Sequence, residues 1–349
     1  MNTLINDDRG TSSPSRPFEL PASNQRLLGP PHPANTVLPL ALRPSPSTPK
    51  PTLEAVLTTI HTLQKEHHLT KHLSCHGALL FRNLPIHNAE DFSAFAQAFN
   101  FAPHEIIGIV VDRPVLAPNS LTHQNTSFST GTAPPPPEGS GGETPLSSSL
   151  ELFRRAQREI PSFIDNIAEK GILSRAFGKE WVAGDDEATK RRKVEAQIRR
   201  YGRGEHTTWE WLQDGSGRMK LVLEHRLPAI RTQPGRNLPA LFTGLAAYWK
   251  RVQVADARGK GTRQLFGDGS PIPEEDLEAL ASITGEIRVL HRWVECDVLV
   301  IDNLVAQHGR EPWRGEQADR IVLASLFDGP VVPGAYGFGD WAQVVQAAD

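Results

Sequence analysis

The chain has 349 residues, 38% of them hydrophobic, a formal net charge of −3 and 2 cysteines. That length and apolar share permit a real core and exclude a disordered chain. The charge gives no whole-chain attraction to nucleic acid or an anionic membrane, and two distant cysteines, Cys75 and Cys296, make no disulfide framework.

The start, Met1 to Asp8, has no basic region followed by an apolar core, and no later run approaches a membrane span, so a soluble cytoplasmic protein is expected. Residues 1–50 are rich in Pro, Ser and Asn and read as a disordered tail or a strap over a single domain spanning 51–349. Leu53, Val56, Leu57, Ile60 and Leu63 recur at helical spacing and predict a helix from Leu53 to about His72. Gly77 to Phe81 reads as a short buried strand. Asn88 is the expected N-cap of a helix from Asp91 to about Phe99, with Asp91 in the capping-box position.

His104 to Val115 is strand-like. The stretch from Ser129 to Pro145 contains Pro134 to Pro137, which cannot donate to a ladder, and is expected to be a loop. A helix interrupted at Pro161 is predicted from Ser149 to about Ala168. Another runs from Asp185 to Tyr201, where Lys190-Arg-Arg-Lys193 reads as a solvated face and not as a nucleic-acid contact. Leu212, Met219, Leu221, Leu223 and Ala229 suggest a hairpin around Asp214-Gly-Ser-Gly217. Pro239 to Val254 is expected to be helical. Phe266 to Pro273 forms a turn, and three acids then open a helix at Glu274.

Val298 to Arg310 and Asp319 to Leu326 are apolar and β-branched, with Gly309, Pro312 and Gly315 between them, and predict two neighbouring antiparallel strands. One delivers His308 and the other Arg320. An imidazole and a guanidinium from adjacent strands suit a metal-bound acid, the histidine on the metal and the arginine forked onto a carboxylate. Strands interleaved with irregular helices favour a distorted double-stranded β-helix, or jelly roll, mainly β with framing helices.

Several landmarks stand in order: Cys75-His-Gly-Ala-Leu-Leu-Phe-Arg82, Ser120-Leu-Thr-His-Gln-Asn-Thr-Ser-Phe128, Gly141-Gly-Glu-Thr-Pro145, Phe266 to Pro273, Ile301-Asp-Asn303, His308-Gly-Arg310 and Asp319-Arg320. With this set the chain resembles the taurine dioxygenase family of iron(II) and 2-oxoglutarate dependent oxygenases. The nearer likeness is to its clavaminate synthase-like branch, including fungal members. The resemblance implies metal contacts from His123, Asn125 and His308, and contacts to 2-oxoglutarate from Thr144 and Arg320. It also implies an iron(II) cofactor, 2-oxoglutarate as co-substrate, and oxidation of a small molecule, plausible in specialised metabolism. No nucleic-acid or membrane partner is expected, and the sequence is silent on oligomeric state.

Three departures stand out. The family's His-x-acid motif reads His123-Gln124-Asn125, so a carboxamide replaces a carboxylate; Glu138 and Glu143 are the nearby acids. The interval before Gly141 is short and proline-filled, as if one strand were missing or remodelled near 129–140. Cys296 takes the glycine position of a Trp-x-x-Gly-Asp turn, Trp293 to Asp297. Three functions remain open: an oxygenase with a degenerate triad, a relative with altered metal chemistry, and a catalytically inactive binding or regulatory protein. Thr144 reads equally as a loop hydroxyl capping the next helix, and Arg310, Trp313 and Arg314 as a pocket rim or a solvated turn. His61, His67, His68 and His72 read as a solvated helix face, and the two cysteines as small buried residues.

Overall fold

Short apolar runs become paired strands, and amphipathic helices cover them. The computed structural model describes residues 25–42, 51–103, 115–117, 120–122, 130–132, 142–177, 186–201, 206–213, 219–253, 262–312 and 322–329, with Gly215, Gly217, Arg314 and Tyr336. Strands β1 (Arg26–Leu27) and β2 (Val37–Leu38) pair with each other, and β3 (Leu40–Leu42) runs parallel to β4 (Ala78–Phe81). Residues 26–42 of the expected tail are therefore built into the fold.

Helix α1 (Leu53–Lys65) starts on Thr52, whose hydroxyl accepts from the Ala55 N–H at 3.3 Å. The single helix predicted to His72 is instead two, because His67 is left-handed (φ 61°) and α2 (His68–His76) begins after it. Periodicity gives the reason. Leu69 lies nine residues beyond Ile60, half a turn out of phase at about 100° per residue. A continuous helix would aim one of them at solvent, yet both are buried. Helix α3 (Ala89–Gln97) has the predicted cap: Asn88 Oδ1 accepts from the Asp91 N–H at 2.7 Å, while Asp91 accepts from the His87 N–H at 2.9 Å.

Next come β5 (Ala102–Pro103), β6 (Val115–Ala117), β7 (Ser120–Thr122), β8 (Thr130–Thr132) and β9 (Thr144–Ser148). Residues 104–114 of the predicted strand lie outside the described residues. Thr130–Thr132, predicted as loop, pairs with the strands on both sides of it. The strand that looked missing is thus present at three residues, too short to show a pattern beside four prolines.

Helices α4 (Ser149–Glu159) and α5 (Pro161–Lys170) break at Pro161 as predicted. A separate sheet holds β10 (Ile172–Phe177), β11 (Thr207–Gln213) and β12 (Met219–Leu227), the last two being the expected hairpin, and α6 (Glu187–Tyr201) connects β10 to β11 in the chain. β13 (Ile230–Gln233) and β14 (Leu238–Leu241) then form a second hairpin. The helix predicted from Pro239 begins only at α7 (Leu245–Val252), since pairing with β13 claims the earlier residues. β15 (Arg263–Phe266), α8 (Glu274–Ile287) and β16 (Val289–His291) lead to β17 (Val298–Ile301), β18 (Ala306–His308), β19 (Leu323–Ser325) and β20 (Phe327–Asp328).

Two sheets position the candidate site. One has seven strands in the order β3-β4-β17-β8-β19-β7-β6, and the other has three, β16-β9-β18. Strand alternation sorts the larger sheet's side chains. Leu79, Phe81, Val298 and Val300 pack with Val56, Ile60, Phe92 and Phe95 under α1 to α3, while Ala78, Leu80, Leu299 and Ile301 pack with Leu146, Val289 and Ala306 of the smaller sheet. The two sheets therefore face each other across a shared core.

The expected pair of adjacent strands is corrected here. β17 and β19 are separated by β8, and His308 lies on β18 in the opposite sheet. Asp302 makes the crossing: its carboxylate accepts from the N–H groups of Leu304 (2.9 Å) and Val305 (3.4 Å), and its own N–H donates to the Gly77 carbonyl (2.9 Å). Burial pushes this carboxyl up to about 6.

Because the folded value exceeds the ordinary 3.8, the folded state binds the extra proton. Stability from this group falls as pH rises from about 4 to 6 and stays low above it. Asp302→Asn keeps an acceptor oxygen without the charge. It should add up to about 2–3 kcal/mol at pH 7.5 and only about 1 kcal/mol at pH 4.5, read from urea melts at both. Equal effects at the two pH values would refute the buried-charge account. Among the described residues no helix is long and apolar enough to cross a membrane.

Candidate active site

The middle strand of the smaller sheet, β9, brings two predicted site residues together. His308 pairs with Leu146 and His291 with Thr144, and directly opposed residues of an antiparallel pair project to one side. Thr144, Leu146, His291 and His308 therefore share the face turned to the core between the sheets. Gln307 projects the other way and donates to the Leu241 carbonyl at 2.7 Å.

Beyond the strand ends, the two sequence motifs remain zipped. Gly309 N–H donates to the Pro145 carbonyl (3.2 Å), Glu311 N–H to Glu143 (3.0 Å), and Gly142 N–H to Pro312 (3.1 Å). The Gly-Gly-x-Thr segment and His308-Gly-Arg310 are one continuous ladder, so Thr144 and His308 are fixed relative to each other by backbone. Gly77, at the start of β4, lies under this ladder; a Cβ there would meet that of Ala306 at 2.9 Å, and its φ is +77°. Only glycine fits without a shift.

Desolvation lowers the His308 imidazole to about 4, so it is neutral at physiological pH, the form that offers a lone pair to a metal. Thr144 is buried, and its hydroxyl accepts from Trp293 Nε1 at 3.0 Å. It opens β9 and caps no helix; the cap of α4 is Ser148, whose hydroxyl accepts from the Glu151 N–H at 3.1 Å. A neutral imidazole and a threonine hydroxyl on one face fit a metal with an oxyanion ligand. Among the described residues no group of three His, Cys, Asp or Glu that could hold a metal comes together.

His123, Asn125 and Arg320 lie outside the described residues, as do Glu138 and Trp313. The strands leading to them are described: β7 ends at Thr122, β19 begins at Leu323, and these two residues pair. Glu143 lies 3.4 Å from Arg292 and is engaged at the rim. Arg310 and Arg314 are exposed. The α1 and α2 histidines form no metal group, and His68 lies 3.5 Å from Glu66. Neither cysteine is disulfide-bonded. Cys296 is left-handed at φ 63°, which is why glycine suits this turn position; its thiol lies 3.5 Å from the Ile86 carbonyl.

Sequence reasoning did not single out the support behind Thr144. Asp297 is wholly buried and accepts from Arg82 Nε (2.9 Å), Arg82 Nη2 (3.0 Å) and the Val294 N–H (3.0 Å). His291, also wholly buried, places Nε2 3.4 Å from Asp297 and its ring against the Trp293 indole, centroids 4.9 Å apart at 77°. The available signal was a charged residue at the end of each of two paired apolar runs, Arg82 after Phe81 and Asp297 before Val298.

The sequence profile of the "Taurine catabolism dioxygenase TauD, TfdA family" matches residues 126–325. A clavaminate synthase-like protein of Arabidopsis thaliana is 28% identical over 317 residues, covering 81% of this chain and 91% of that protein. A dapdiamide synthesis protein of Enterobacter agglomerans is 27% identical over 206 residues, covering 56% of this chain and 59% of its own. Among solved structures, PvcB of Pseudomonas aeruginosa aligns at TM-score 0.45 and 16% identity, over 89% of this chain and 94% of that one. AAD-2 in complex with Mn(II) and N-oxalylglycine aligns at 0.44 and 17%, over 87% and 97%. With more than half of its length matched by the family profile, the chain belongs to the taurine catabolism dioxygenase TauD/TfdA family.

Proposed function

We propose that the protein is an iron(II) and 2-oxoglutarate dependent oxygenase acting on a small molecule in specialised metabolism. Its two facing sheets would close as a double-stranded β-helix. His308, Asn125 and His123 would hold the metal, and Thr144 and Arg320 the keto acid. The observation that carries this reading is the shared face of Thr144 and neutral His308, locked together by the 142–145 and 309–312 ladder. The pairing of Thr122 with Leu323 supports it further, since the chain leaves these neighbouring strands towards His123 and Arg320.

With metal and keto acid bound, the chemistry supplied is oxidative decarboxylation of the acid coupled to oxidation of a substrate carbon. The chain's own part is to hold and orient. His308 presents an unprotonated nitrogen without a competing proton equilibrium near pH 7. The Thr144 hydroxyl, in a water-poor core, fixes one end of the acid by a hydrogen bond that is stronger there than in water. The Arg320 guanidinium would complete that end by a two-pronged contact.

Asn125 changes the electrostatics. A carboxamide oxygen can approach a hard cation but brings no charge, so the metal keeps one more positive charge than with aspartate. The dianionic keto acid would then supply the missing compensation, and metal and acid should bind cooperatively. The test is anaerobic titration with iron(II) and 2-oxoglutarate, separately and together, following the visible charge-transfer band of the chelate. A saturable band with both, weak iron binding alone, and tighter iron binding in Asn125→Asp are expected. No band in either protein would mean that the frame binds a small carboxylate or a partner protein without turnover.

A further inference from the structure

The hydrogen bond at Thr144 has a direction. A threonine hydroxyl has one proton and two acceptor sites, whereas an indole N–H can only donate. Trp293 Nε1 at 3.0 Å therefore occupies an acceptor site of Thr144 Oγ1, and the Thr144 proton is left for another acceptor. We propose that Trp293 is a positioning residue for the acidic co-substrate: its N–H turns the Thr144 hydroxyl into a committed donor to a carboxylate, and the buried Arg82–Asp297–His291 chain holds the indole in place. This rests on the reading of Thr144 as a co-substrate ligand.

Each link is on the page. Trp293 lies two residues beyond His291, which ends β16 opposite Thr144, so the indole and the threonine meet across one strand boundary. The turn that carries the indole is closed by the Val294 N–H donating to Asp297 Oδ2 and by the Asp297 N–H donating to the Val294 carbonyl, both at 3.0 Å. Two guanidinium nitrogens of Arg82, at the end of β4, grip both Asp297 oxygens. The His291 ring fills the space between Asp297 and the indole. Neither of its ring nitrogens has a hydrogen-bond partner among the described residues, Nε2 standing 3.4 Å from Asp297. Its packing therefore holds the ring, and the arrangement ties the larger sheet to the acid-binding end of the smaller one.

A hydroxyl that accepts one hydrogen bond becomes a better donor in the next. The consequence is selectivity of charge. A committed donor favours a carboxylate oxygen, which has only lone pairs to offer.

The test is isothermal titration of 2-oxoglutarate into the full chain with saturating iron(II), without oxygen, for wild type, Trp293→Phe, Thr144→Val and the double variant. Trp293→Phe should weaken acid binding about tenfold, and Thr144→Val at least as much. In the double variant the second change should add less than about twofold, since Trp293 acts through Thr144. Effects that multiply, or Trp293→Phe binding as tightly as wild type, would overturn the proposal. Iron(II) affinity without acid should stay within about twofold in Trp293→Phe; a parallel fall would mark a merely structural indole and overturn it too. If Trp293→Phe does not fold, Trp293→His against Trp293→Leu decides. Histidine, which keeps a ring N–H, should bind the acid more tightly than leucine, and equal binding would sink the proposal. Wild type that binds iron(II) but no acid would overturn the co-substrate reading and this inference together, whereas acid binding indifferent to Trp293 overturns this inference alone.

Discussion

Replacing His308 by alanine will abolish the joint stabilisation of the protein by iron(II) and 2-oxoglutarate. The imidazole is held on β18 by pairing with Leu146, is neutral through desolvation, and faces the same core as Thr144. Once it is lost, no other described histidine, cysteine or acid joins a group that could replace it. Ligands at a hundredfold excess over their dissociation constant stabilise a folded protein by about 2.7 kcal/mol. In wild type this should appear as a rise in melting temperature with metal and acid together; in His308→Ala the same addition should produce no rise. The comparison is internal to each protein, so the variant's own stability does not enter. A retained rise would place the metal elsewhere and remove the basis of the proposed function.

The largest effect on folding will come from Asp297→Ala. The change leaves the Arg82 guanidinium, itself buried, without its two carboxylate contacts, and breaking a buried pair from one side costs about 3–5 kcal/mol. Urea melts at pH 7 read this directly, and a loss below about 1 kcal/mol would show the pair to be far better solvated than its burial implies. The acid limb supplies a second readout. Burial alone would raise the Asp297 carboxyl, but the His291 and Arg82 contacts outweigh it and hold it below the ordinary 3.8. A depressed folded value means stability present above 3.8 and lost as pH falls below it through the folded value. Wild type should therefore lose stability below about pH 4 more steeply than the variant. Asp302 acts with the opposite sign and in a different window, between about pH 4 and 6, so the two carboxylates are separable by pH.

Much of this could be read from local pattern. The Asn88 cap, the break at Pro161, the hairpin around Gly215 and Gly217 and the strand at Ala78–Phe81 depend on nearest neighbours, and all are present. Thr144 and His308 were marked by their motifs, and a backbone ladder joins the two segments that carry them. What escaped was decided by partners distant in sequence. The break at His67 follows from where Leu69 must point. β8 exists only because β17 and β19 flank Thr130–Thr132. The apolar run from Val298 looks like one strand until the Asp302 turn divides it between two sheets. The Arg82–Asp297–His291 support was hidden because Arg82 lies more than two hundred residues from the other two, so that neither landmark shows its partner in the other.

The placement of β3 bears on how the protein can be handled. β4 is wholly buried, and among the described residues its outer edge is covered by Leu40–Leu42. Arg26 clasps Glu151 at 2.6 Å, and His32 reaches Ser148 at 2.6 Å and the Cys75 carbonyl at 3.0 Å, so this cover is fastened at several points. A form trimmed to begin near residue 50, as the proline-rich composition invites, would present Ala78–Phe81 as a bare, uncharged edge, the kind that recruits another chain. Aggregation of such a trimmed form would report a lost cover strand and say nothing about catalysis.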